Sequence, residues 1–200
     1  MLEPSSGSRR VVLVHGIWDT AAIFRPMEGE LTKSGFRPLA LNLTPSNGDL
    51  GLDHIALQVQ EFVESNIPYG EQFDLVGFSM GGLVSRYYVQ RLGGIERVRH
   101  LITISTPHHG TLWAHMVGNP GSRQMRPGSA FLSKLNHDAA MLERVKFVSI
   151  WTPFDLMILP ARNSYLAVGC EFQIPVALHA WMPKSKRCMG LVVKLLQQPE

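Results

Sequence analysis

The chain has 200 residues, 45% of them hydrophobic, enough for one domain with a sizeable core and too few for a second of similar size. Its formal charge of +3 comes from basic residues scattered along the chain rather than from a run, so no nucleic acid partner is expected. No segment approaches the roughly 18 uninterrupted apolar residues of a membrane span, and the N-terminal MLEPSSGSRR lacks the apolar stretch of a signal peptide, so the expected location is the cytoplasm.

In chain order, Arg10 to His15 (RVVLVH) reads as a buried strand ending at Gly16. Thr20 is placed to cap a helix carrying Ile23, Phe24, Met27 and Leu31 on one face, which Gly35 stops. Phe36 to Leu41 reads as a second strand. Leu52 to Asn66 has apolar residues at helical spacing and ends at Pro68-Tyr69-Gly70. Phe73 to Gly77 is a third strand, and Met80 to Leu92 the helix after it. Val98 to Ser105 and Lys146 to Trp151 are further strands, and Glu171 to Val176 a last one. Between the fourth and fifth strands lie a structureless stretch, Thr106 to Gly128, and a short helix, Ser129 to Leu142. Lys184 to Gln197 closes the chain as a helix. Strands alternating with helices predict an α/β fold in one domain over residues 1–200: a mostly parallel sheet of about six strands, helices on both faces, and a ligand site beyond the carboxyl ends of the strands. Cys170 and Cys188 form no CxxC pair and are expected as reduced, partly buried thiols.

Gly77-Phe78-Ser79-Met80-Gly81 fits G-x-S-x-G, and its setting between a strand and a helix is what makes the pattern a nucleophile elbow. A serine hydroxyl is a weak nucleophile at its ordinary pKa, so it needs a base in reach and a group to orient that base. His179 is the one histidine beyond the strand Lys146 to Trp151, and it follows the last strand. Among the acids between Ser79 and His179, Asp155 stands just past a strand end; Asp138, in a helix, is the runner-up. The amide of Met80 at the head of the elbow helix, and that of Ile17 after the first strand, are the candidate oxyanion donors. Trp18, Phe24, Trp113, Met116, Met157, Ile158 and Trp181 flank these loops and are expected to form an apolar substrate site. His108, His109 and His115 lack acidic or cysteine partners nearby. They read as loop packing, with no metal expected.

With HGIWD, GFSMGG, STPHHGT and a late Asp and His all in order, the chain resembles the α/β-hydrolase superfamily, and within it the compact lipase and esterase group of small bacterial lipases and GPI-inositol-deacylase-like hydrolases. The likeness runs from about Val11 to Thr111; beyond it, PVALHAWMP departs from the glycine that commonly precedes the histidine in that group. It implies Ser79 as nucleophile, His179 as base and then acid, Asp155 as its orienter, and the Ile17 and Met80 amides as oxyanion hole. It further implies hydrolysis of carboxylic esters of apolar acyl groups through an acyl-enzyme, with no cofactor. The partners expected are a small-molecule or lipid ester and, transiently, a lipid surface; the oligomeric state is left open. A thioesterase or an acyltransferase would use the same residues, and a catalytically silent ligand-binding protein would keep the fold. The interval between Ser105 and Lys146 is too short for a separate cap domain.

Overall fold

Runs of β-branched and small residues form six strands: β1 (Arg10–Val14), β2 (Arg37–Leu41), β3 (Phe73–Phe78), β4 (Val98–Ile104), β5 (Lys146–Trp151) and β6 (Cys170–Gln173). They are seen in a computed structural model that describes residues 8–198. All five pairings are parallel, in the order β2-β1-β3-β4-β5-β6. The helices are α1 (Arg25–Lys33), α2 (Leu52–Asn66), α3 (Met80–Arg91), α4 (Pro120–Gln124), α5 (Ala130–His137) and α6 (Lys186–Leu196).

Alternation along each strand sends side chains to two cores. Val12, Val14 and Leu75 pack with α2, α3 and α5 on one face; Val11, Leu13 and Val76 pack with α1 and α6 on the other. The chain steps from β1 outward to β2 and then back across to β3, so the carboxyl ends of β1 and β3 flank the point where the winding reverses. Such a point opens a crevice at the sheet edge. The loop after β1 and the turn after β3 meet there.

That turn is Ser79, at φ 54° and ψ −125°. It brings α3 so close to the sheet that a Cβ on Gly81 would lie 2.2 Å from the Val14 carbonyl oxygen, and one on Gly77 would lie 2.5 Å from the Gly82 Cα. The glycines around the serine are thus required by contact with backbone.

Several elements differ from expectation. Thr20 is extended and makes no capping bond; the chain enters through a 3₁₀ turn, Ala21–Phe24, and α1 starts with Pro26 in its first turn. The last strand is Cys170–Gln173 rather than Glu171 to Val176, because an edge strand takes its register from its single neighbour, Val148 pairing with Cys170. The stretch 106–128 has structure: a 3₁₀ turn at Leu112–His115, then α4, capped by Asn119 accepting from the Ser122 amide at 3.0 Å. The helix expected over Ser129 to Leu142 ends at His137 and continues as a 3₁₀ turn, Ala139–Arg144. The closing helix starts two residues late, at Lys186, and ends at Leu196. Cys170 is exposed and Cys188 buried, both unbridged, and burial pushes the Cys188 thiol up to about 12. Most of the N-terminal segment lies outside the described residues; among those described, no helix is long and apolar enough to cross a membrane.

A methyl at Gly81 must displace the β1 backbone. Gly81→Ala is expected to cost about 1–3 kcal/mol, read as a lower midpoint in urea. Gly29→Ala, at an open position in α1, should instead stabilise by about 0.5–1 kcal/mol and raise the midpoint. Equal midpoints for the two variants would contradict the close approach.

Candidate active site

Loops from five strands wall a cavity of about 250 Å³ at this crevice. Ser79, 8% exposed, opens into it from the elbow, and His179 faces it from the loop after β6. Asp155 lies behind His179: its Oδ2 is 2.7 Å from His179 Nδ1, while Oδ1 accepts from the Met157 and Ile158 amides, both at 2.9 Å. Burial opposes ionisation of Asp155, but the His179 bond and charge and the two amides outweigh it, holding the carboxyl below its ordinary range. The His179 ring packs on Phe78, centroids 4.9 Å apart. Thr152 Oγ1 donates to the Val176 carbonyl at 2.7 Å, which ties the Asp155 loop to the His179 loop. Among the described residues no hydrogen bond links Ser79 Oγ to His179; such bonds commonly tighten only once substrate is in place.

The loop after β1 is fixed from both ends. His15 Nδ1 lies 2.9 Å from the Gly16 carbonyl, and its Nε2 accepts from the Leu43 amide at 2.9 Å, so the ring is neutral with its proton on Nδ1. Burial lowers its pKa against the opposing pull of Gly16 and Asp19. Beyond it the Trp18 amide donates to the Ser46 carbonyl at 2.8 Å, with Trp18 at φ 58°. The Ile17 amide between these clamps, and the Met80 amide at the head of α3, donate to no other described residue.

Thr111 does for the far wall what His15 does here. Its hydroxyl donates to the Met157 carbonyl at 2.8 Å and accepts from the Leu159 amide at 3.0 Å, pinning the 106–128 strap to the Asp155 loop. Arg126 reaches the Ala114 and Val117 carbonyls, and Trp113 Nε1 donates to the Leu156 carbonyl at 2.5 Å. The sequence reading missed Thr111, Val117, Ser122 and Met125 as cavity walls. The final threonine of STPHHGT was the one legible signal among them.

Of the apolar residues expected around substrate, Trp18, Trp113, Met157 and Ile158 line the cavity. Phe24 does not: it is fully buried in the core under α1, because the 3₁₀ turn before α1 aims it at the sheet. Met116 points to solvent, since its turn gives Ala114 and Val117 to the cavity instead. Trp181 stands on the outer side of the His179 loop, in a cleft with Lys184, Lys186 and Arg187. Asp138 ends α5 and pairs with Arg91 at the other end of α3 from Ser79. His108 is buried, one ring nitrogen 3.2 Å from Arg86 Nη1 and the other 3.1 Å from Thr103 Oγ1. Among the described residues no group of three His, Cys, Asp or Glu side chains is arranged to hold a metal.

The family model described as "Palmitoyl protein thioesterase" matches residues 10–154. Palmitoyl-protein thioesterase 3 of Dictyostelium discoideum is 29% identical over 176 residues, which cover 84% of this chain and 58% of the relative, so the chain spans little more than half of that protein's length. Among solved structures, the mature lipase BlEst2 of Bacillus licheniformis superimposes with a TM-score of 0.78 at 16% identity, covering 97% of this chain and 94% of that one. Lipase B of Aspergillus fumigatus gives 0.83 at 18% identity, over 98% of this chain and 54% of that one. These likenesses establish the α/β-hydrolase fold with its six-stranded parallel sheet, the arrangement expected from the sequence.

His15 and His108 are both held less protonated than in the unfolded chain, burial being the largest cause, with Arg86 and His109 adding to it at His108. Acid therefore favours the unfolded state as pH falls below the unfolded value of about 6.5. Urea midpoints should drop between neutral pH and about pH 5, and the drop should shrink in His108→Gln. A midpoint flat over that window would contradict the burial of neutral rings.

Proposed function

This chain belongs to the palmitoyl protein thioesterase family, and from that premise we propose that it hydrolyses thioesters and esters of apolar acyl groups through an acyl-enzyme. In this reading Ser79 is the nucleophile, His179 the general base and then acid, Asp155 the residue that orients the ring, and the Ile17 and Met80 amides the oxyanion hole. The observation that carries it is the convergence of a backbone-strained Ser79 and a half-buried His179, backed by the buried Asp155, on one largely apolar cavity.

Ser79 Oγ adds to the acyl carbonyl while its proton passes to His179 Nε2. The oxyanion lies against the two amides, whose worth is about 2.7–4 kcal/mol for each donor. Collapse expels a thiolate or alkoxide, which takes the proton from His179. Water, deprotonated by the same ring, then releases the carboxylic acid and restores Ser79. Asp155 spends Oδ1 on two amides and keeps Oδ2 for Nδ1–H, so the ring presents Nε2 to the reaction. No cofactor takes part in this cycle.

The thioester half of the proposal is supported by the family match and by the thioesterase from Dictyostelium discoideum. The apolar acyl group is supported by the lining, in which Asp19 and His179 are the titratable side chains and no Lys or Arg stands ready to hold a phosphate or carboxylate. The cavity walls run from Gly16 to Ala180, which supports one α/β-hydrolase domain over the described residues.

Steady-state turnover of a soluble acyl thioester and of the oxygen ester of the same acid tests this. Wild type should turn over both. Ser79→Ala should turn over neither, and Asp155→Asn should lower kcat by roughly 10⁴-fold with its circular dichroism unchanged. Asp138→Asn, whose partner Arg91 lies about 16 Å along α3 from the elbow, should match wild type. Turnover that survives Ser79→Ala would overturn the proposal.

A further inference from the structure

We propose that the rim of the cavity is a docking surface for an anionic lipid bilayer. Among the described residues, the large apolar side chains left exposed are, apart from Leu50, Leu57 and Tyr69, all on loops that leave the carboxyl ends of β1, β4, β5 and β6. A parallel sheet delivers every such loop to one edge, so these side chains share one face with the cavity mouth. Trp18 is 60% exposed after β1, Met116 76% in the strap, and Trp181 55% beside His179, with Phe154 and Leu156 between them in sequence. A soluble monomer seldom leaves so much apolar surface together unless something covers it. Tryptophan in particular suits a boundary between lipid and water. Met116 and Trp181, whose positions beside these loops had suggested the substrate cavity, stand outside it and are largely exposed.

Charge identifies what covers this face. A shallow cleft lined by Trp181, Lys184, Lys186 and Arg187 shares Ala177 with a second cleft lined by Phe154 and Leu156, so the apolar rim passes directly into three cations. The one acid lining either cleft is Asp155, buried and engaged with His179. Apolar side chains that enter the acyl region, flanked by Lys and Arg at the depth of lipid phosphates, make an interfacial surface selective for anionic lipid. A second copy of the chain fits less well, since a two-fold pair on this face would bring both cationic flanks into one interface. The proposal goes beyond the hydrolytic reading and does not need Ser79 to be the nucleophile.

Sedimentation with large unilamellar vesicles of phosphatidylcholine, with or without phosphatidylglycerol, tests it. Wild type and Ser79→Ala should both bind the mixed vesicles with a blue shift of tryptophan emission, and bind phosphatidylcholine alone more weakly. Met116→Glu with Trp181→Glu should weaken binding by at least about tenfold. Lys184→Glu, Lys186→Glu and Arg187→Glu together should weaken it by roughly a hundredfold. Both sets replace exposed side chains, so wild-type circular dichroism and thermal midpoint should be kept. Absence of binding to mixed vesicles, or binding that neither set weakens, would overturn the proposal. So would a concentration-dependent dimer that Met116→Glu and Trp181→Glu dissolve, which would make the occupant a second copy. Binding by Ser79→Ala beside a wild type that hydrolyses no ester would leave docking standing and remove the hydrolytic reading alone.

Discussion

Ser79 reverses the chain between β3 and α3 at φ 54°, in a region that costs a residue bearing a side chain about 1–3 kcal/mol. The turn holds because its surroundings leave no alternative: the Ser79 amide donates to the Ile104 carbonyl at 2.8 Å, its carbonyl accepts from Gly82 at 3.0 Å, and Gly81 rides against Val14. The other two non-glycine residues at positive φ among those described are Trp18 and Ser105, which follow β1 and β4, the neighbours of β3. Backbone strain is thus gathered at the carboxyl ends of three adjacent strands, where the winding reverses and the cavity opens. The loop after β1, the turn after β3 and the start of the strap each owe their direction to one of these turns.

The rigidity that sustains this strain is partly polar. Arg86, two turns into α3, is fully buried without a carboxylate partner; burial, with Arg91 adding to it, lowers its pKa to about 9. It stays cationic at neutral pH because neutral acceptors surround it: Gln90 Oε1 at 3.2 Å, Asn136 Oδ1 at 2.9 Å, the Leu135 carbonyl at 3.0 Å and His108 at 3.2 Å. Asn136 in turn donates to the His108 carbonyl at 2.9 Å. One buried cation therefore fastens the elbow helix to the STPHHGT loop and to α5. The strap that begins in that loop becomes a wall of the cavity, and of the three histidines in that stretch His108 serves this network while His109 and His115 are exposed.

How far the sequence reveals all this depends on what each residue's surroundings decide. β1, β3, β4 and β5 are legible because each is a β-branched or aromatic run buried on both faces. β6, mostly exposed and paired on one side, takes its limits from β5, and no pattern of its own could set them. α4 (PGSRQ) has poor helix formers and exists through the Asn119 cap and the contact of Gly121 with Gly48. In the site, chain order and strand ends were enough to bring Ser79 and His179 to one cavity, with Asp155 bonded to His179 behind it. Apolar residues near the loops at the strand ends were another matter: Phe24, Met116 and Trp113 look alike in sequence, yet one packs in the core, one meets solvent and one lines the cavity, according to which side of its turn each occupies. The clamp at Thr111 was only half legible: STPHHGT marks the threonine, but its partners, the Met157 carbonyl and the Leu159 amide, are brought close only by the fold.

The proposed reaction turns on a covalent acyl bond to Ser79. Mixing the protein with a slowly turned-over acyl thioester, quenching in acid within the first turnover and mapping the adduct by mass spectrometry observes that bond directly. The account predicts one acyl group per chain, on the peptide that carries Ser79, and its absence from Ser79→Ala. Acylation of Cys170 instead, or hydrolysis with no acyl-protein at any time, would contradict it.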